Sequence, residues 1–270
     1  MVQSIKTEHV RFEGVELWMK DLKIEGRNSV IALLQKGTQI KEINVDESAR
    51  EDDRLTRILA LAEKKGVQVK RVPRWVLDRM SSTGSHMGVI AVAHGSFTRA
   101  KLTDVLGRCA EKGEDPFLLF LVELSYEQNI GAIIRTANAA GVHGIVMCGK
   151  HKPLATPEIV RISMGAVFFT PVIQEGIYAA LKMAKSAGLC VVGTDMVEGE
   201  QHYDIDLRGR VAIVLGNEDR GLTEGVKKRC DKIARIPMRG VVSSLNVSVT
   251  CGVLLFEKLR QERSSISSGT

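Results

Sequence analysis

Residues 117–122 read Phe-Leu-Leu-Phe-Leu-Val, six apolar side chains in a row between Pro116 and Glu123. A strand with one wet face alternates apolar and polar. A run without polar members fits a strand covered on both faces, as in a parallel sheet flanked by helices. Comparable runs recur at 144–148, 189–193 and 211–215. Helical periodicity occupies 130–140, 157–164, 177–187 and 223–229 between and after them. Strands alternating with helices predict an α/β fold with a parallel sheet. A last helix is expected over 245–263, followed by a small, polar, flexible tail at 264–270.

Upstream the pattern is shorter. Residues 1–24 give no clear assignment. A helix is expected over 26–34, ending at Gly37, then a strand at 40–45. Residues 53–65 place Leu55, Ile58, Leu59 and Ala62 on one helical face, closed by Gly66. A strand at 67–72, a short helix opened by Pro73 and a strand at 88–93 complete the unit. With 270 residues, more than one average domain needs, the chain divides into a small α/β domain at 1–95, a linker at 96–115 (helical in part), a parallel-sheet domain at 116–263 and the tail.

The net charge of +6 suits a polyanionic partner, and equally a solvated basic surface. Five cysteines stand far apart with no Cys-x-x-Cys pair, and no histidine cluster has ligand spacing. They read as reduced thiols of a cytoplasmic protein, with no metal expected. Glu8, Glu13 and Asp21 interrupt the first segment, so no signal peptide is expected, and no apolar run reaches membrane-spanning length.

Common nucleotide and hydrolase signatures are missing. No Gly-x-Gly-x-x-Gly follows an expected strand, Leu222 stands where a P-loop lysine belongs, and there is no Gly-x-Ser-x-Gly. Three other segments follow expected buried strands, where α/β sheets hold their ligands. The first is Asn129-Ile-Gly-Ala-Ile-Ile-Arg135-Thr-Ala, with Asn129 expected to cap the helix start. A capped helix with a solvated arginine would also explain it. The second, Leu215-Gly216-Asn217-Glu218-Asp-Arg-Gly-Leu, brackets a carboxylate with glycines, and an ordinary turn would read alike. The third is Ile236-Pro-Met238-Arg-Gly-Val-Val-Ser-Ser244-Leu245-Asn246-Val-Ser, a loop opening an apolar helix. Ser243 or Ser244 is the expected N-cap, which leaves Asn246 inside the first turn without an explanation.

Taken together, the three segments resemble the three motifs of the SpoU/TrmH family of RNA 2'-O-methyltransferases, in order and spacing, over roughly residues 117–262. Residues 24–34 (Ile-Glu-Gly-Arg-Asn-Ser-Val-Ile-Ala-Leu-Leu) and 86–91 (His-Met-Gly-Val-Ile-Ala) resemble the RNA-substrate domain that precedes the catalytic domain in ribosomal RNA members. Met87 departs from the glutamine common there, and Tyr126-Glu127 from the common Asp-Pro.

The resemblance implies a C-terminal trefoil knot, a homodimer, S-adenosyl-L-methionine as cofactor and methylation of a ribose 2'-hydroxyl, in 23S-type ribosomal RNA before transfer RNA or an antibiotic-resistance target. It implies a cofactor pocket built from Thr194, Leu215, Gly216, Asn217, Ile236, Met238, Ser244 and Leu245. Arg135 is the implied catalytic residue, with Asn129, Glu218, Ser244 and Asn246 around it. A guanidinium stays protonated, so the role expected of Arg135 is to stabilise a developing alkoxide and grip a phosphate. Arg11, Lys20, Lys23, Arg27, Lys70, Arg71, Arg74 and Arg79 are candidate phosphate contacts in the N-terminal domain. A pure RNA-binding module would show damage among Asn129, Arg135, Glu218 and Asn246, and all four are intact.

Overall fold

The computed structural model describes residues 8–12, 15–19, 21–94, 100–149 and 156–267, with backbone only at 8–21, 94 and 264–267. They form two compact units, one of which takes in residues up to 98 together with 155–168, the other 99–154 with 169–270. Among the described residues no helix is long and apolar enough to cross a membrane.

In the first unit, β1 (Glu8–Phe12) and β2 (Val15–Met19) form an antiparallel ribbon. Then come β3 (Asp21–Glu25), α1 (Arg27–Lys36), β4 (Ile40–Asp46), α2 (Asp53–Lys64), β5 (Val69–Val72), α3 (Arg74–Met80) and β6 (Val89–His94). The four later strands make a sheet in the order β3-β6-β4-β5, parallel only between β4 and β5. Asp52 caps α2 by accepting the Leu55 amide at 2.9 Å, and Leu55, Ile58 and Ala62 are buried. β1 and β2 lie where the sequence allowed no clear assignment, so their pairing rather than their pattern defines them.

The second unit starts with α4 (Leu102–Lys112), β7 (Phe117–Val122), α5 (Glu127–Ala139) and β8 (Gly144–Cys148). Most of the stretch expected as a linker is thus α4, whose Leu102, Val105 and Cys109 are buried; residues 96–99 of that stretch lie outside the described residues. α6 (Pro157–Ile162) belongs to the first unit, where Ser29 Oγ donates to the Val160 carbonyl. The chain continues with β9 (Val172–Gln174), α7 (Ile177–Ser186), β10 (Cys190–Thr194), β11 (Glu200–Gln201), β12 (Val211–Leu215), α8 (Glu224–Lys227), β13 (Lys232–Arg235) and α9 (Val247–Ser267). Residues 264–267, expected in the tail, extend α9.

The seven strands are ordered β11-β13-β10-β12-β7-β8-β9, every pair parallel. β7 lies inside the sheet between β12 and β8, and all six of its residues are buried. Leu118, Phe120 and Val122 enter a core with Leu102, Ala180, Leu181 and Ala184 from α4 and α7. Phe117 points the other way, under the Lys258 ammonium of α9 at 5.0 Å from the ring centroid. Both faces of the run are covered, which is why its sequence needs no alternation.

Candidate active site

Because β7 and β12 pair in parallel, with Leu121 opposite Leu215, their carboxyl ends lie side by side and the loops leaving them meet. Asn217 Nδ2 donates to the Glu123 carbonyl at 2.8 Å. The Ser125 amide donates to Glu218 Oε2 at 3.4 Å. Asn217 Oδ1 accepts the amides of Asp219 and Arg220, closing the turn on itself. Glu123 has φ +55, an uncommon conformation for a residue with a Cβ, where the chain turns from β7 towards α5.

Gly216 is required by close approach. A Cβ there would lie 2.3 Å from the Gly221 carbonyl carbon and 2.5 Å from the Leu222 nitrogen. The loop therefore folds back onto its own first residue, with Asn217 and Gly221 paired through both backbone bonds.

A line of side chains crosses this corner. Asn129 Nδ2 donates to Glu218 Oε1 at 3.0 Å, and Asn246 Nδ2 donates to Asn129 Oδ1, also at 3.0 Å. A carboxylate only accepts, so Glu218 forces Asn129 to present its amide nitrogen and turn its oxygen to Asn246. Asn246 then has its own oxygen left over, and that oxygen accepts the amide and hydroxyl of Ser248 at 2.8 and 2.6 Å. Asn246 is thus the N-cap of α9. This corrects two expectations. Ser243 and Ser244 are not the cap, and Asn129 does not cap α5, which begins at Glu127 after Tyr126. Asn129 is the third residue of that helix, and its side chain faces the next loop.

Arg135 is exposed on α5 and bonds to no described residue. Six residues separate it from Asn129, about 9 Å along the axis and about a third of a turn around it. The three-residue line is brought together directly; Arg135 shares the helix of Asn129 but not its hydrogen bonds, and Ser244 is exposed and not hydrogen-bonded to the line among the described residues.

The residues expected to hold a cofactor divide likewise. β10, β12 and β13 are neighbours, so Thr194, Leu215, Gly216, Asn217 and Ile236 gather along one sheet end. Thr194 Oγ1 donates to the Val214 carbonyl at 3.1 Å. Met238, Ser244 and Leu245 lie on the exposed segment between β13 and α9, with no hydrogen bond to that end among the described residues.

Sequence reasoning passed over Asp195, next to Thr194. Its carboxylate accepts the amides of Val197 and Glu198 at 2.8 and 3.0 Å and pairs with Lys227 of α8 at 2.5 Å. Burial opposes its charge, but Lys227 and the two amides outweigh burial and hold the carboxyl down to about 2. The signal was only Asp-x-Val-Glu after a strand, which is common in turns.

In the first unit Arg27 bonds the carbonyls of Met87 and Arg50 and pairs with Asp52, while Lys70 and Arg71 pair with Glu42 and Glu51. Lys23 donates to the Met80 carbonyl. These candidates for phosphate contact are engaged within the fold; Arg74 and Arg79 are exposed. Lys20 and the Arg11 side chain lie outside the described residues. No cluster of three metal-capable side chains occurs among the described residues.

Residues 116–256 match the SpoU rRNA Methylase family, and residues 23–98 match the RNA 2'-O ribose methyltransferase substrate-binding domain. The 23S rRNA (guanosine-2'-O-)-methyltransferase RlmB of Shewanella oneidensis is 35% identical over 216 residues, covering 80% of this chain and 87% of that protein. An uncharacterized tRNA/rRNA methyltransferase of Mycolicibacterium vanbaalenii is 37% identical over 242 residues, covering 89% of this chain and 76% of its own length. The crystal structure of an S-adenosylmethionine-bound rRNA methyltransferase from Sinorhizobium meliloti superposes with a TM-score of 0.70 at 26% identity, over 89% of this chain and 87% of that one.

Proposed function

The chain belongs to the SpoU rRNA methylase family and is an RNA (ribose-2'-O)-methyltransferase, and from that premise we propose that it methylates 23S-type ribosomal RNA with S-adenosyl-L-methionine as donor. The observation that carries the site assignment is the line Glu218–Asn129–Asn246, which ties three separate motif segments into one corner.

The sheet end fits the cofactor's chemistry. Gly216 keeps the backbone bare at the end of β12, and Met238 and Leu245, both more than a third exposed, offer apolar surface of the kind an adenine and a sulfonium chain require. Thr194, Leu215, Gly216, Asn217, Ile236, Met238, Ser244 and Leu245 would hold it. When bound, it supplies a methyl group already activated by positive sulfur.

The protein's own task is to align the ribose oxygen and manage its proton. Asn129, Glu218, Ser244 and Asn246 orient the ribose; alignment of this sort is worth about 7–11 kcal/mol in favourable cases. Arg135 stabilises the forming alkoxide and holds the adjoining phosphate, and a phosphate oxygen or water takes the proton. The active form is a cytoplasmic homodimer. Val249 and Phe256, seven residues apart on α9 and each half exposed, support pairing through that helix. The folded-back 216–221 loop and the 236–246 segment form the trefoil knot.

The test is transfer of labelled methyl to separated ribosomal and transfer RNA pools, with the modified nucleotide mapped by mass spectrometry. Label on a 2'-oxygen of large-subunit rRNA is the expected result. Label in tRNA alone would overturn the rRNA assignment, and label on a base would overturn the reaction.

A further inference from the structure

We propose that Trp75 and Met87 form a stacking platform for unpaired bases of the substrate RNA, a reading that rests on the RNA methyltransferase function above. Trp75 is 60% exposed on α3, whose Leu77 is buried, and Met87 is 69% exposed. An indole in water loses the burial that makes it valuable in a core. Its presence there calls for a ligand with an apolar face.

The surrounding structure holds this surface still. His86 Nε2 meets Asp78 of α3 at 2.9 Å, and His86 Nδ1 accepts the Gly88 amide at 3.0 Å. The Gly88 carbonyl accepts the Asp46 amide at 2.9 Å, and Arg27 Nε reaches the Met87 carbonyl at 3.3 Å. Bonds on both sides therefore fix Met87 at φ +51, a conformation uncommon for a side chain of its type. Glu25, buried beneath the same loop, accepts from the Ser81 and Thr83 hydroxyls and the Ser82 amide, each at 2.6 Å. A segment this tightly anchored presents its apolar tip by construction, not by fraying.

Charge identifies the occupant. On α3 both Arg74 and Arg79 are exposed, and the one carboxylate of that helix, Asp78, is turned to His86, whereas Lys70 and Arg71 of β5 are already paired with Glu42 and Glu51. Arg79 stands one helical turn from Trp75, is exposed and pairs with no described residue. An aromatic face beside unpaired guanidinium is how proteins take single-stranded nucleic acid, with stacking for the base and cation for the phosphate.

Two probes test it with the full-length protein: an unstructured RNA oligomer and a fully paired RNA duplex of equal length. Trp18→Phe leaves Trp75 as the sole indole. Its fluorescence should quench with the oligomer and not with the duplex. Trp75→Ala should weaken oligomer binding roughly 5- to 150-fold and raise KM for RNA, while Trp75→Phe retains most of the affinity. Unquenched Trp75, or equal oligomer affinity in Trp75→Ala, overturns the platform. Methyl transfer by the unaltered enzyme is scored in parallel. If it transfers methyl to RNA while Trp75 is silent, only the platform falls. If it methylates no RNA while Trp75 still quenches, the platform stands and the enzymatic reading falls.

Discussion

Asn246 donates its side-chain amide to the side-chain oxygen of Asn129, 117 positions earlier, at 3.0 Å. The direction of that bond is dictated from a third place, because Glu218 accepts from Asn129 and can do nothing else. The same polarity delivers the Asn246 oxygen to the first turn of α9. One carboxylate thereby sets the orientation of two amides and the start of the last helix.

The two duties of Asn246 are separable. Asn246→Ala loses both the N-cap and the bond to Asn129, and should cost about 1 kcal/mol from the cap alone. Asn246→Ser keeps a capping oxygen and cannot bridge to Asn129. Urea denaturation should show Ser close to the parent and Ala below it, while methyl transfer falls well over tenfold in both. Full activity in the serine variant would mean that the bridge has no part in orienting substrate.

Arg135 offers a complementary case, since it is exposed and supports no described partner. Arg135→Ala should leave the melting temperature nearly unchanged, the free-energy effect staying within about 0.5 kcal/mol as for other surface substitutions. Methyl transfer should fall by at least 10²-fold, the scale of removing a transition-state donor, with cofactor affinity kept. Arg135→Lys keeps the charge and loses the planar fork, so it should recover only part of the rate. Wild-type turnover in Arg135→Ala would remove the residue from the mechanism.

The parallel sheet was legible because β7, β8 and β12 are apolar throughout, and burial on both faces leaves that mark. β11, with two residues, and β9, with three, are too short to show any period. β3 reads Asp-Leu-Lys-Ile-Glu, an alternation of the right kind, but Glu25 is buried through bonds to residues 81–83 that only folding brings near. At the site the sequence singled out Asn129, Glu218 and Asn246 as residue types, yet misassigned two caps. Capping by Ser244 and by Asn246 look alike until the helix start is known, and that start depends on Asn129. Asp195 went unnoticed because its partner Lys227 lies 32 residues away on another helix.

Gly216 gives a prediction about shape. The space for a Cβ is already filled by the backbone of Gly221 and Leu222, neither of which can yield as a flexible side chain does. Gly216→Ala must therefore push the 216–221 loop off β12 and disturb the Glu218 carboxylate. Calorimetric titration should find cofactor affinity reduced at least tenfold, with a destabilisation of about 2 kcal/mol, as is typical of overpacking. Unaltered affinity and stability together would show that the loop has a second comfortable position.

Acid should reach the Asp195 turn late. Folding holds this carboxyl at about 2, below the ordinary 3.8, chiefly through Lys227 and two amides acting against burial. A depressed carboxylate contributes stability that is fully present above its unfolded value and is lost as pH falls through its folded value. The gap in melting temperature between the parent and Asp195→Asn should accordingly be constant above about pH 5 and shrink between pH 4 and about 2. Lys227→Met should shrink the same gap even at neutral pH, because the ammonium is the first of the forces holding the charge, and cofactor affinity should drop in step as the turn after Thr194 loosens. Melting curves that stay parallel down to pH 2 would show that the ion pair at 2.5 Å does not hold the turn in solution.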